Sequence, residues 1–303
     1  VRQQLLSPTS PETFPRWAMG AIIAMTNSSP RLFGIHAQPG KLLGWALAAL
    51  PFLLALGLYL WASDIRHRDN PNDKLLPAPV QMAEAFDRMA FQQDRRTGTY
   101  PMAQDTISSL KRLLTGVTLA ASAGLLLGLN MGLFPGMSAT LSPFVTFLSM
   151  IPPLAILPIL FISFGVDELA KVMLIFIGLF PLITRDIQLA VRKLPGEQIT
   201  KALTLGASSL ALAYRIVLPQ ILPRLIEAVR LSLGAAWLFL IAAEAIAADD
   251  GLGYRIFLVR RYLAMDVILP YVLWITLLGY GMDLLLRYLL RWGFPWYANR
   301  EGE

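Results

Sequence analysis

Long apolar runs alternate with short polar stretches along this chain, and the pattern sets the elements to expect. Runs of about 20 residues are long enough to cross a bilayer as helices. They lie at residues 42–62, 113–133, 144–164, 172–189, 225–248 and 266–287. The pattern predicts an all-α membrane protein, a polytopic bundle of about six transmembrane helices. A transmembrane domain then covers residues 42–292, between an N-terminal segment (1–41) and a short tail (293–303). Within the first segment, WAMGAIIAM (17–25) is apolar but too short to span. It fits an interfacial helix or a disordered leader equally, and the segment carries no signal-peptide pattern.

Residues 63–107 are polar with nearly balanced charge, and within them LLPAPVQMAEAF (75–86) reads as an extended proline segment followed by a short helix. The segment fits a solvated loop or a docking surface for a binding protein. In the second run Gly124, Gly128 and Gly132 recur every four residues, a ridge that lets a neighbouring helix approach closely. The third run is interrupted by Pro152, Pro153 and Pro158, each of which removes a backbone donor. Two readings stand: a packing kink, or a broken helix lining a translocation path or gate. Glu244 is an ionisable residue within the fifth run, and it admits a place on the path or a structural role pinning the next loop. In the sixth, Asp283 and Arg287 stand at i,i+4 pairing distance.

Between the fourth and fifth runs lies EQITKALTLGASSLALAYRIVLPQILP (197–223), too polar for hydrocarbon yet helically patterned. It reads as a helix over 197–205 stopped by Gly206, then a second helix capped by Ser208 or Ser209 and ended by Pro219. An apolar-striped hairpin held outside the membrane suits a groove on a partner.

Composition agrees with a membrane protein. The chain is 55% hydrophobic and only 15% charged, with a mean hydropathy of +0.55. Its net charge of +6 would suggest nucleic acid in a soluble protein, but here the basic residues gather at span ends, as the positive-inside rule requires. Arg185, Arg192, Lys193, Lys201, Arg215, Arg224 and Arg230 around the hairpin place residues 192–224 in the cytoplasm. Both termini then fall inside as well, and 63–107 falls outside.

Three stretches resemble one family. The hairpin is similar to the signature loop of ABC-transporter permeases, written EAA, three residues, Gly, nine residues, then I-x-L-P. Lys201 and Ala202, Gly206, Ile216, Leu218 and Pro219 fall in its register, with Thr200 in place of the glutamate and Lys201 in place of the first alanine. IPPLAILPILFISFGVDELAK (151–171) resembles the nitrate/taurine/sulfonate-type permeases at Pro152, Pro153, Leu154, Ala155, Leu157, Pro158, Phe164, Gly165, Glu168 and Lys171. AAEAIAADDGLGY (242–254) resembles them again at Ala243, Glu244, Ala247, Gly251, Leu252 and Gly253.

The resemblance, over roughly residues 42–292, implies a type I ABC importer permease in a bacterial inner membrane. Its implied partners are ABC ATPase subunits, a second copy of the permease and a solute-binding protein. Its implied cargo is a small anion such as nitrate, bicarbonate, cyanate, taurine or an alkanesulfonate. Lys201, Ala202, Gly206, Leu210, Ile216, Leu218 and Pro219 become the ATPase-coupling residues, with Leu210, Ile216 and Leu218 filling the groove. ATP and Mg would be held by the partner ATPase and no cofactor by this chain, which has no phosphate loop: Gly40-Lys41 lacks the preceding glycine and the following Ser or Thr. No cysteine is present, and two histidines, His36 and His67, give no basis for a metal or nucleophilic site. The alternative is an ion-gradient-driven secondary transporter, which needs more buried ionisable residues in the spans.

Overall fold

The computed structural model describes residues 40–70, 73–94 and 98–298. The N-terminal stretch 17–25 and the last residues of the tail lie outside them. Every regular element among the described residues is helical. The chain divides between Ile65 and Arg66 into two units. The described part of the first is the helix α1 (Lys41–Asp69), whose last turn enters the second unit. Apolar residues occupy all faces of α1 up to Trp61, as in a helix surrounded by lipid.

The second unit contains α2 (Pro79–Ala90), α3 (Pro101–Leu133), α4 (Pro135–Met150), a 3₁₀ turn (Pro153–Ile156) and α5 (Leu157–Phe164). It continues with α6 (Glu168–Arg192), α7 (Gly196–Thr204), α8 (Ser209–Ile246), α9 (Leu252–Arg260), α10 (Met265–Gly293) and α11 (Pro295–Ala298). Among the described residues, α1, α3, α6, α8 and α10 are each long and apolar enough to cross a membrane. The pair α4 and α5 supplies a sixth crossing if taken together, bent by 82°.

The bend has a local cause. Neither Pro152 nor Pro153 can donate to the turn before it, and the residue preceding a proline is driven out of the α region. Ile151 and Pro152 are accordingly extended, with ψ of 121° and 117°. Pro158 behaves differently, since it sits in the first turn of α5, where no donor is needed. The interruption therefore belongs to Pro152 and Pro153 alone. At about 1.5 Å per residue, neither arm is long enough to span by itself.

Helix α6 is the centre of the second unit. Leu174, Ile175, Leu179, Ile183 and Ile187 are fully or almost fully buried, and α3 lies along its whole length. The contact is close because Gly116, Gly124, Gly128 and Gly132 of α3 face Ile175, Ile183, Ile187 and Val191 of α6. A Cβ added at Gly128 would stand 2.6 Å from the Thr184 carbonyl oxygen. From the other side α8 packs on α6, with Phe239 filling the space left by Gly178.

Two boundaries differ from the sequence reading. Helices α1 and α3 run several residues beyond the apolar windows, so the segment expected at 63–107 shrinks to the stretch between Asp69 and Pro101, with α2 inside it. Charged turns at helix ends project past hydrocarbon and keep their helical bonds, which hydropathy alone does not register.

The second difference is larger. Pro219 does not end the hairpin's second helix, because that helix continues into the fifth span as one element of 38 residues, Ser209–Ile246. A wide π-type turn at Leu212–Val217, closed by Leu218 N–H donating to the Ala213 carbonyl, makes room for the proline ring. Pro219 then enters as though at the start of a new helix.

Candidate functional site

The hairpin is built by two local signals. The backbone N–H of Gly206 donates to the Leu203 carbonyl and that of Ala207 to the Ala202 carbonyl, both at 3.0 Å. This double bond pattern closes a helix on a left-handed residue, and Gly206 has φ of +82°. Two residues on, the Ser208 hydroxyl accepts from the Ala211 N–H at 3.2 Å and starts α8. One apolar side of the hairpin faces the body of the unit: Ala202, Leu212, Ala213 and Val217 are buried, and Ile199, Ile216 and Leu218 pack against the core. The other side is open. Leu203, Leu205, Leu210 and Tyr214 are exposed, Leu205 by 89%.

At the root of the hairpin, Arg224 holds both Asp186 carboxylate oxygens of α6, at 2.8 and 2.6 Å, and the Glu227 carboxylate at 2.9 Å. The Tyr297 hydroxyl donates to Glu227 at 2.8 Å, tying α11 to the same point. A cleft of about 350 Å³ opens there between Lys193, Gln220, Arg224 and Trp296.

The opposite end of α8 carries a denser ion cluster. Glu244 is fully buried. It accepts from Ser109 Oγ (2.7 Å), Arg112 Nη1 (2.8 Å) and the Gly253 N–H (2.9 Å). Arg112, itself 4% exposed, also donates to both Glu168 oxygens and to Asp250. Lys171 Nζ supports Glu168 at 2.9 Å. One helical turn away, Asp105 is sealed from solvent and accepts from the Gly251 N–H, Arg255 and the Tyr271 hydroxyl.

Asp105, Ser109 and Arg112 stand at i, i+4 and i+7 on one face of α3. Together they satisfy the turn that joins α8 to α9. Burial pushes the Asp250 carboxyl up, but the Ser108 hydroxyl and the Arg112 guanidinium outweigh it and hold the group below the usual aspartate range. Gly251 has φ of +120°, and a Cβ there would meet Glu244 Oε1 at 2.5 Å, so the turn accepts only glycine.

The model for the family described as "Binding-protein-dependent transport system inner membrane component" matches residues 120–292, which takes in the broken span, the hairpin and most of the ion cluster. The chain belongs to this family. Among curated relatives, the taurine transport system permease protein TauC of Escherichia coli (strain K12) is 33% identical over 223 residues, covering 74% of this chain and 80% of TauC. SsuC of the same strain, named for aliphatic sulfonates transport, is 32% identical over 78% of this chain and 87% of its own. The bicarbonate transport system permease protein CmpB of Synechococcus elongatus is 33% identical over 62% and 68%. A chain of the MetNI methionine ABC transporter in an inward-facing conformation shares the fold, with a TM-score of 0.56 at 20% identity over 62% of this chain and 93% of that one.

This permease is therefore the membrane-spanning component of a binding-protein-dependent ABC importer of the inner membrane, and a transport component rather than an enzyme. An ATPase and a solute-binding protein follow from the family as its partners. The ion-gradient alternative falls with that membership.

The structure sorts the permease's predicted residues unevenly. Lys201, Gly206, Leu210 and Pro219 lie on the open side of the hairpin, whereas Ala202 is buried and Ile216 and Leu218 turn inward. Ile216 and Leu218, expected in a partner's groove, are half-buried and touch the core of the unit. Pro152 and Pro158 are exposed and Pro153 half-exposed around the bend. Glu244, which admitted a place on the path or a role pinning the next loop, is sealed inside the ion cluster. The Asp283–Arg287 pair is present at 2.7 Å. Arg112 and Asp105 were missed, although their i, i+4, i+7 spacing with Ser109 is written in the sequence.

Proposed function

We propose that this permease imports a small solute with an anionic headgroup, of the nitrate, bicarbonate, cyanate, taurine or alkanesulfonate class. The observation that carries the reading is the similarity, over most of their length, to proteins named for taurine, aliphatic sulfonates and bicarbonate. Uptake of labelled taurine and bicarbonate into proteoliposomes holding the complete importer tests it. Accumulation of neither, with ATPase activity intact, removes the anion assignment.

In this reading two permease copies form the transmembrane pathway, and the hairpin and both termini face the cytoplasm. The basic excess around residues 192–224 supports that orientation. The hairpin seats on an ATPase subunit, which binds ATP and Mg, through the open side formed by Leu203, Leu205, Leu210 and Tyr214. ATP-driven closure of the ATPases moves α7 and the start of α8, and the permease passes between inward- and outward-open states. The bend at Pro152–Pro153 lies on the pathway, where irregular backbone is tolerated beside water or protein. Glu244 anchors the outer turn rather than meeting solute.

Gly206 sets the hairpin's angle. Gly206→Val is expected to insert and assemble but to lose binding-protein-stimulated ATPase activity, because a β-branched residue is strained at positive φ. No neighbour lies within 4 Å of the added Cβ, so the loss reports backbone conformation and not a clash. Stimulation at the parental level in reconstituted complexes defeats the assignment.

A further inference from the structure

Among the cations of the spans that stand outside both ion clusters is Arg185. Arg185 is exposed on α6, between Leu182 and Leu189, which are exposed on the same stripe. Its neighbour in sequence, Asp186, is committed to Arg224 at 2.6 Å. Among the described residues no carboxylate pairs with Arg185, and its hydrogen bond goes to Ser149, Nη1 donating to Oγ at 3.1 Å. The Ser149 hydroxyl in turn donates to the Thr146 carbonyl at 2.7 Å. Ser149 stands two residues before Ile151, where the broken span turns.

Direction sets Arg185 apart from the cations at the end of the helix. Arg185 lies seven residues inside the end of α6 at Arg192, about 10 Å along the axis at 1.5 Å per residue. Helical side chains lean toward their helix's N-terminus, which here is away from the nearer membrane face and toward the middle of the span. The guanidinium follows that direction and reaches Ser149. Snorkelling to the nearer interface would need the opposite lean. A guanidinium left in hydrocarbon is costly, so an intramembrane arginine faces protein or water and marks a route for ions or solutes.

The rest of this surface is apolar: Phe147, Met150 and Leu154 are exposed around the bend. Toward the end of α6, Gln188 donates to Ser142 Oγ at 2.8 Å and to Ser138 at 3.1 Å, and Arg192 also contacts Ser138. The α4–α6 seam is thus polar, and Arg185 is its innermost and most open member.

We propose that Arg185, steadied by Ser149, is an anion-binding point on the translocation route, one that takes the oxyanion headgroup of the solute. A planar guanidinium presents paired N–H donors to sulfonate, carboxylate or bicarbonate oxygens. The Ser149 hydroxyl rotates from the Thr146 carbonyl to add one more. The site rests on the anion reading above, and it supplies the positive charge that reading needs within the spans.

The test uses the complete importer in proteoliposomes, with labelled taurine and bicarbonate as probes and choline, which has no anionic headgroup, as the control. Arg185→Gln is expected to lower uptake of the transported anion about tenfold or more, the range for losing a charged hydrogen-bond partner. Its melting temperature is expected to stay at the parental value, and Arg185→Lys to recover part of the uptake. Parental uptake by Arg185→Gln overturns the site and leaves the anion reading standing. A loss of uptake matched by a lower melting temperature in both variants makes Arg185 a structural residue and overturns the site as well. Uptake of choline and of neither anion by the parent protein overturns the anion reading, and the site with it.

Discussion

Arg112→Leu is expected to destabilise the permease by about 3–5 kcal/mol, the cost of removing one partner from a buried ion pair. The decisive contact is with Glu244, because both groups are sealed, at 4% and 0% exposure. Glu168 is 63% exposed, so water replaces Arg112 there at little cost. Without Arg112 the Glu244 carboxylate keeps only the Ser109 hydroxyl and the Gly253 N–H, too few partners for a buried charge. The turn between α8 and α9, the start of α9 and the adjoining ends of α3 and α6 then lose their common tie.

Melting of the detergent-solubilised protein, followed by intrinsic fluorescence, measures the effect. The double variant Arg112→Leu/Glu244→Leu is expected to recover much of the loss, since an apolar pair removes the stranded charge along with its partner. A single variant that melts within a degree or two of the parent shows that the cluster does not hold the outer end.

Gly128→Leu is expected to be at least as severe, and for a different reason. The obstacle at Gly128 is the Thr184 carbonyl oxygen at 2.6 Å from the added Cβ, with Ile187 Cβ at 2.9 Å. Backbone cannot rotate aside as a flexible side chain does, so α3 and α6 must separate along the most extensive helix contact in the unit. Overpacking of this kind commonly costs about 1–3 kcal/mol and more where nothing can yield. The expected result is little folded protein in membranes, measured as the monodisperse fraction in size-exclusion chromatography. Gly136→Leu is the control, because nothing lies within 4 Å of a Cβ there. Equal yields of the two variants refute the close-packing account.

These two sites also mark what could be read from the chain alone. The glycine ridge announces itself by its spacing, and so does the hairpin turn, since Gly206 and Ser208 act through bonds to residues at most five away. Such local chemistry survives in a one-dimensional pattern. The ion cluster does not, because Arg112 finds Glu244 across 132 positions and Glu168 across 56. Only the i, i+4, i+7 series of Asp105, Ser109 and Arg112 hints at a buried polar face, and an apolar window beginning at Leu113 leaves it in the adjoining loop.

Pro219 misled for the reason that proline usually informs. Its clash with the preceding turn is real, but a turn widened by one residue removes it, and nothing in residues 212–217 shows that beforehand. Arg185 was legible as a charge and not as a position. Counted among span-end cations it supports topology, and only its bond to Ser149 across 36 positions shows which surface it faces.

The unbroken α8 has a mechanical meaning. Thirty-eight residues at 1.5 Å each make a shaft of about 57 Å, with the hairpin at its foot and Glu244 near its head. The wide turn, Pro219 and Pro223 all fall within its first 15 residues, and these are the features at which helices bend. The foot is thus sprung and the upper shaft stiff. A tilt of 5° at a pivot beside the head swings the foot through about 5 Å by the same geometry, so a large stroke at the hairpin becomes a small one at the turn after Ile246. In the proposed orientation the permease is geared down: its broad movement stays near the cytoplasm, and its outer closure is worked through short displacements against a clasp that resists them.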